Sequence, residues 1–158
     1  MVVKAFGRAF ERACRGMSAY TEELCRLDSY IGDGDHGVTI ERGFNAAADS
    51  LNDVKDAREL FFAVAESTSD AMGGAIGPLY RMFWRGVGKG VGEEITPETI
   101  GTAWQKGCEA LMRVGKAERG NKTIVDAMLP SVEAAKPAGT LAQTLSAMAD
   151  AAEAGANA

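Results

Sequence analysis

Apolar residues recur at intervals of three and four along most of the chain, which is the spacing of an amphipathic α-helix. Residues 2–28 show this spacing in Phe6, Phe10, Met17 and Leu24. No stretch longer than a few residues alternates apolar and polar residues with the period of two that is typical of a half-buried strand. The pattern therefore predicts an all-α protein.

Helix start and stop signals divide this pattern into six or seven helices. Thr96 and Pro97 illustrate the start signals, since threonine suits the N-cap and proline suits the first helical position. Breaks are expected at the glycines near Gly32 and at Pro137 and Gly139. Helices joined by short glycine-bearing loops favour an antiparallel bundle. The predicted helices are 2–28, 38–51, 57–71, 78–87, 97–114, 124–135 and 141–154.

The chain is rich in glycine, with 19 residues gathered mainly in four clusters. Glycine inside a helix costs about 0.5–1 kcal/mol relative to alanine, so clusters belong where the backbone turns tightly or approaches another group closely. If the helices meet at one end of a bundle, three of these clusters can converge there and form a site. The clusters are Gly32/Gly34/Gly37, Gly73/Gly74/Gly77, Gly86/Gly88/Gly90/Gly92 and Gly115/Gly120.

Composition and charge narrow the class of protein. With 46% hydrophobic and 25% charged residues, 158 residues suffice for one core, so we expect a single domain over 1–158. The net charge of -5, from 22 acids and 17 bases, argues against a nucleic-acid partner. The absence of a leader and of a long apolar run predicts a cytoplasmic protein without a membrane partner. Cys14, Cys25 and Cys108 are widely spaced and are expected to be reduced, mostly structural thiols.

Residues 28–37 carry Asp28, Asp33 and Asp35 among three glycines. Carboxylates crowded into a small loop repel one another unless they are well solvated or share a cation. Oxygen ligands of this kind suit magnesium, whereas the calcium pattern of an EF-hand fails because its twelfth position, counted from Asp33, is Phe44. The alternative is that these aspartates only cap helices and form turns.

Two further stretches indicate phosphate binding. His36 is expected to donate a hydrogen bond to a phosphate oxygen rather than to bind the metal, because magnesium prefers oxygen to imidazole. Residues 115–123 are not a P-loop, since Asn121 intrudes between the second glycine and Lys122 and no strand precedes them. Their backbone amides, with Lys122 and Thr123, can still hold a phosphate, although an ordinary capped loop explains the pattern equally well.

Three motifs carry a resemblance to a known family. DSYIGDGDHG at 28–37 with the following ERGF, then MGGAIGPLY at 72–80 and GKAERGNKTIVDAMLP at 115–130, occur in the order and roughly the spacing of the nucleotide-binding L domain of dihydroxyacetone kinases. The resemblance covers essentially the whole chain. It implies an eight-helix antiparallel barrel with ADP or ATP and two magnesium ions at one end.

The resemblance also implies a reaction and a set of site residues. A phosphoryl group passes to a short-chain ketose that a separate K subunit holds covalently through a histidine. The donor is either exchangeable ATP or bound ADP that a phosphotransferase-system protein recharges. The residues matching the family's metal ligands are Asp28, Asp33 and Asp35, and those matching its nucleotide contacts are His36, Gly37, Gly73, Gly74, Ile76, Gly77, Leu79, Gly120 and Thr123.

The chain departs from the family in two places. Ile76 stands where the family usually has a serine, which removes a hydroxyl able to bond a phosphate. The chain also ends before the family's last helix and the loop that covers the nucleotide, so we expect an L-type domain truncated at its C-terminus. Both departures favour the alternative of a non-catalytic paralogue or regulatory partner protein that retains the metal and nucleotide site.

Overall fold

The structure is a computed structural model that describes residues 2–52, 54–135 and 139–158. Within these ranges the chain forms eight α-helices and no strand, so the all-α prediction is confirmed. The helices are α1 (Val2–Gly16), α2 (Thr21–Asp28), α3 (His36–Asp49), α4 (Ala57–Ala71), α5 (Ile76–Val91), α6 (Pro97–Gly115), α7 (Ile124–Ala134) and α8 (Leu141–Ala156).

The helix boundaries follow the sequence signals except at the first helix and at α5, which ends at Val91 and not at residue 87 as predicted. Thr96 caps α6 by accepting a hydrogen bond from the Thr99 amide at 3.2 Å. The prediction of one continuous helix over 2–28 is wrong, because a 3-10 helix at Met17–Tyr20 separates α1 from α2. The apolar spacing continues through this tighter turn and therefore did not reveal it. The predicted break at Pro137 lies outside the described residues.

The helices pack against their neighbours in chain order from α2 to α8, and α1 packs on α3. From α2 onwards, successive helices run antiparallel. For example, a Cβ on Gly90 near the end of α5 would lie 2.5 Å from the Cα of Ala103 near the start of α6. Closure of this bundle into a barrel stays a prediction, since the main helix pairs of the described ranges do not include α1 with α8.

Glycines bring α5 and α6 unusually close. A Cβ on Gly86 would lie 2.6 Å from the Lys106 carbonyl oxygen, and one on Gly107 would lie 2.7 Å from Val87 Cγ2. Gly86, Gly88 and Gly90 therefore belong to the interior of α5 and serve helix packing rather than a loop. The other three glycine clusters lie in connections between helices or at the helix ends beside them.

Aromatic side chains fill the centre of the bundle. Phe61 and Phe83 are at most 1% exposed, and Trp84 lies in contact with both rings. Cys14 and Cys108 are free and buried nearby, and burial raises the pKa of each thiol to about 12. These two cysteines are core residues, as the sequence predicts.

None of the helices in the described ranges combines the length and apolar character needed to span a bilayer.

Candidate functional site

Three glycine-bearing connections lie at the same end of the bundle because successive helices alternate in direction. They are the connections at 29–35, 72–75 and 116–123. Contacts between the flanking helices link these connections in pairs. Arg42 Nε, in α3, donates to the Ala71 carbonyl at the end of α4 at 2.6 Å. Leu79, in the first turns of α5, lies 3.4 Å from where a Cβ on Gly115 would be, at the end of α6.

The first connection brings three carboxylates together. One oxygen of each of Asp28, Asp33 and Asp35 lies within 4.8 Å of the other two. Asp28 is half-buried, and the other two side chains are exposed. Three formal negative charges at this separation repel one another, and a shared cation removes that repulsion. The three residues predicted from the sequence to hold a metal are therefore assembled in space.

The backbone of this loop is folded around Asp28. Asp28 ends α2, and its Oδ2 accepts a hydrogen bond from the Gly34 amide at 2.9 Å. Gly34 has φ +78°, a left-handed conformation that favours glycine. A side chain on Gly32 would clash with the Asp28 carboxylate. The glycines thus let the loop close tightly enough to bring Asp33 and Asp35 beside Asp28.

Helix capping does not account for this cluster. Asp35 occupies the N-cap position of α3, but its side chain makes no capping hydrogen bond there. Elsewhere the chain does use aspartate as a cap, since Asp56 Oδ1 accepts from the Glu59 amide at 2.8 Å at the start of α4. The Asp35 carboxylate therefore makes no hydrogen bond to the start of α3 and is free to bind a ligand. This weakens the alternative that the three aspartates only cap helices and form turns.

His36 and Gly37 form the first residues of α3. His36 is half-buried and directly follows the cluster in the chain. Gly37 is buried, and a Cβ there would clash with the Thr21 carbonyl oxygen of α2. Gly37 therefore permits the close contact of α2 and α3 that fixes the carboxylate loop. Contact of either residue with a nucleotide stays a prediction.

The second connection contains an exposed glycine turn. Gly73 and Gly74 are exposed, and Gly74 has φ +65° with open space where a Cβ would be. Gly77 is buried, and a Cβ there would clash with the Met72 carbonyl oxygen at 2.5 Å, so only glycine fits this position. Ile76 is the half-buried first residue of α5. Of the predicted contacts here, Gly73 and Gly74 offer open backbone, whereas Gly77 serves the turn itself.

The third connection is held by a residue that the sequence reasoning missed. Asp126 accepts hydrogen bonds from the Gly120 amide at 2.5 Å and from the Thr123 amide at 3.0 Å. The Gly120 amide, and after it the Thr123 amide, lower the pKa of Asp126. Thr123 in turn caps α7 by accepting from the Val125 amide at 3.2 Å. The spacing of Thr123 and Asp126 is that of a capping box, which was the available signal.

A cavity of about 750 Å³ opens between the start of α7 and the end of α8. This volume is in the range of about 300–1,000 Å³ that is typical of small-molecule sites. Gly120 and Thr123 line it, as do Lys122, Asp126, Gly155 and Asn157, whereas none of the three clustered aspartates does. The cavity and the carboxylate cluster are thus separate parts of the same end of the bundle.

Comparison with a family model and comparison with individual proteins point to the same family. The family model described as the DAK2 domain matches residues 30–158. The chain is 35% identical over 160 residues to the PEP-dependent dihydroxyacetone kinase 2, ADP-binding subunit DhaL, of Listeria innocua, which covers 93% of this chain and 74% of that subunit. It is 35% identical over 118 residues to the L-erythrulose kinase of Pectobacterium atrosepticum, covering 71% of this chain.

Solved structures agree with these sequence relatives. The crystal structure of the dihydroxyacetone kinase from C. freundii in complex with AMP-PNP and Mg²⁺ matches with a TM-score of 0.77 and 28% identity. That match covers 96% of this chain and 28% of the kinase chain. The chain likewise spans only 20% of the length of the L-erythrulose kinase and 23% of the D-erythrulose kinase of Mycolicibacterium smegmatis.

Proposed function

The chain belongs to the DAK2 domain family, and from this membership we propose that it is the nucleotide-binding subunit of a dihydroxyacetone-type kinase. In this proposal it transfers a phosphoryl group, through magnesium-bound ADP or ATP, to a short-chain ketose held on a separate K subunit. The names of the relatives support the proposal, since the Listeria protein is an ADP-binding subunit and the C. freundii enzyme binds AMP-PNP and Mg²⁺.

The observation that carries the proposal is the carboxylate cluster at the same end of the bundle as two glycine turns. Phosphoryl transfer needs little covalent work from a protein, so positioning and charge neutralisation supply most of the rate. Asp28, Asp33 and Asp35 offer the hard oxygen ligands that magnesium prefers. Their number and chemistry fit a site in which phosphate oxygens and water complete the coordination.

Different residues of the chain are proposed to bind the metal, the phosphates and the nucleoside. Asp33 and Asp35 are exposed and would hold magnesium together with Asp28, which the Gly34 amide fixes in place. Magnesium, when bound, neutralises charge on the β- and γ-phosphates. Exposed backbone at Gly73 and Gly74 approaches the phosphates, and His36 donates a hydrogen bond to a phosphate oxygen.

The cavity beside α7 supplies the nucleoside end of this arrangement. Its lining includes Gly120 and Thr123, and its volume suits a small molecule. We assign the remaining predicted contacts, Gly37, Ile76, Gly77 and Leu79, to the same nucleotide. Two magnesium ions are proposed on the strength of the resemblance to the nucleotide-binding L domain of dihydroxyacetone kinases.

The proposal extends to partners and location. The acceptor is proposed to arrive on a separate K-type subunit, in line with the relatives that are ADP-binding subunits of a larger kinase. A phosphotransferase-system protein is proposed as the phosphoryl donor that recharges bound ADP, in line with the PEP-dependent and PTS-dependent relatives from Listeria and Lactococcus. The cytoplasm is the proposed location, and the domain is proposed to extend over 1–158.

Calorimetric titration with ADP, with and without magnesium, tests the nucleotide-binding part of the proposal. Binding that magnesium strengthens and that has a stoichiometry of one nucleotide supports it, and the magnesium titration gives the number of ions. A phosphotransfer assay with dihydroxyacetone and a K-type subunit then compares ATP with a phosphorylated phosphotransferase-system protein as donor. Failure to bind magnesium and ADP refutes the proposal.

A non-catalytic paralogue or regulatory partner protein is the second candidate. The observation that favours it is Ile76, which places an apolar side chain at the first residue of α5 beside the glycine turn. Such a protein binds magnesium and nucleotide but transfers no phosphoryl group. The phosphotransfer assay separates the two candidates, because only the kinase subunit supports turnover.

A further inference from the structure

Arg42 links the helix that follows the carboxylate loop to the glycine turn at 72–75. Its Nε donates to the carbonyl of Ala71, the last residue of α4, at 2.6 Å. Its Nη2 lies 3.9 Å from where a Cβ on Gly73 would be. In the described part of the chain Arg42 forms no ion pair with a carboxylate. The guanidinium thus lies between α3 and the turn.

The next residue of α3 strengthens this link. Gly43 leaves a notch that the Met72 side chain fills, with Met72 Cγ 2.5 Å from where a Cβ on Gly43 would be. Met72 is only 3% exposed, so the notch holds it inside the bundle. Two consecutive residues of α3, Arg42 and Gly43, therefore hold the two residues that directly precede Gly73.

We propose that Arg42 is a positioning residue for phosphoryl transfer, which fixes the Gly73–Gly74 turn relative to the metal ligands Asp33 and Asp35. This inference rests on the proposed function. An ion shared between carboxylates and phosphates requires a fixed distance between the carboxylate loop at 29–35 and the glycine turn at 72–75. A displacement of about 1 Å between reacting groups is enough to reduce catalysis strongly. The helix α3 is the rigid element that connects the two, because Asp35 directly precedes it and Arg42 belongs to it.

Two substitutions of Arg42 test the proposal. Arg42→Gln removes the charge and the planar fork, and Arg42→Lys keeps the charge but cannot donate from Nε to Ala71 while reaching Gly73. We expect both to weaken binding of magnesium and ADP severalfold, because the solvent-exposed hydrogen bond from Arg42 to Ala71 no longer fixes the glycine turn relative to the carboxylates. Binding of ADP in EDTA should be unchanged, because the inferred role is to align the phosphates with the metal ligands.

Arg15→Gln is the matched control. Arg15 donates to Asp49 Oδ1 at 2.6 Å and to Asn45 Oδ1 at 3.3 Å, so it also anchors α3, but at the C-terminal end of that helix, away from the carboxylate loop. Its loss should lower the melting temperature as the loss of Arg42 does, and leave the affinity for magnesium and ADP unchanged. A parallel loss of affinity in Arg15→Gln would indicate general loosening of α3 and overturn the proposal.

Three further outcomes are decisive. Arg42→Gln with unchanged affinity and a lowered melting temperature would make Arg42 an ordinary packing residue. Full affinity in Arg42→Lys would show that charge alone suffices and overturn the positioning role. Failure of the unsubstituted chain to bind magnesium and ADP would instead refute the proposed function, and the inference with it. Binding by the unsubstituted chain therefore separates a failure of the Arg42 inference from a failure of the proposed function.

Discussion

The Gly120 amide donates a hydrogen bond of 2.5 Å to the Asp126 carboxylate. The same carboxylate accepts from the Thr123 amide at 3.0 Å, so one side chain fixes both ends of the short backbone stretch from 120 to 123. This stretch lines the cavity between α7 and α8. The shape of the proposed nucleoside site therefore depends on a residue in the first turn of α7.

Replacing Asp126 with asparagine should lower the melting temperature and weaken ADP binding. An asparagine presents one oxygen and one amide group, so it can accept from only one of the two backbone amides and turns a donor towards the other. Thermal unfolding and ADP titration of the variant measure both effects. Asp150→Asn on the exposed surface of α8 makes the same charge change and should leave both unchanged.

The contribution of Asp126 to stability should also disappear at low pH. The two amides hold its pKa below the ordinary value of 3.8, so the folded state favours the ionised carboxyl. Its stabilisation is then complete above pH 3.8 and is lost as the pH falls through the lower folded-state value. The difference in melting temperature between the unsubstituted protein and Asp126→Asn should therefore shrink below that pH. A constant difference would contradict this account.

Asp33 and Asp35 should each be required for magnesium-dependent nucleotide binding. Asp33→Asn and Asp35→Asn remove one charge from a cluster whose oxygens lie within 4.8 Å of one another, which weakens metal binding and with it the bridge to the phosphates. Saturating ligand stabilises the folded state by about 2.7 kcal/mol at 100 times its Kd. We expect that rise in melting temperature to be largely lost in both variants.

The same Asp150→Asn variant controls for the change in net charge. It should retain the full rise in melting temperature with magnesium and ADP. If Asp33→Asn and Asp35→Asn also retain it, the cluster is not the metal site, and the turn-former interpretation of these aspartates returns.

Gly86→Ala should destabilise the bundle although alanine favours helices. A Cβ there would meet the Lys106 carbonyl oxygen at 2.6 Å and Gly107 Cα at 2.8 Å, and both belong to the backbone of α6. Overpacking of this kind costs about 1–3 kcal/mol, more than the gain in helix propensity of about 0.5–1 kcal/mol. Denaturant unfolding measures the loss. Gly16→Ala, with nothing within 4 Å, should be neutral or stabilising.

Local signals explain which parts of the fold the sequence predicted. The helix predicted over 57–71 matches α4 because its ends depend on Asp56 and on the glycines after Met72, which act within one turn. The same holds for Thr96 and Pro97 at the start of α6. The break at Met17–Tyr20 was missed because a 3-10 turn keeps apolar residues on nearly the same face.

The parts of the candidate site that escaped prediction depend on contacts between distant residues. The three aspartates lie in one short loop, and their crowding is visible in the sequence. Arg42 donates a hydrogen bond to Ala71, which is 29 positions away, and no local sequence signal predicts that contact. The glycines at 86 to 90 have the composition of a loop, and only their contact with α6 shows that they serve helix packing.

Ile76→Ser should tighten ADP binding. Ile76 is the first residue of α5 and lies two positions after the exposed Gly74, so a serine there would add a hydroxyl beside the proposed phosphate site. A hydrogen bond to a charged phosphate is worth about 1.5–3 kcal/mol, which corresponds to about tenfold or more in affinity. ADP titration in the presence of magnesium measures the gain, and phosphotransfer with a K-type subunit shows whether turnover rises with it.

Ile76→Ala separates the gain of a hydroxyl from the loss of bulk. Ile76 is half-buried, so both substitutions remove apolar contacts and should lower the melting temperature by similar amounts. If the missing hydroxyl limits affinity, only serine tightens ADP binding. If the isoleucine side chain merely obstructs the turn, alanine and serine tighten it equally. Weaker or equal affinity in both variants, together with the lowered melting temperature, would assign Ile76 to packing and contradict the hydroxyl account, because the only measurable consequence of the change would then be the lost burial.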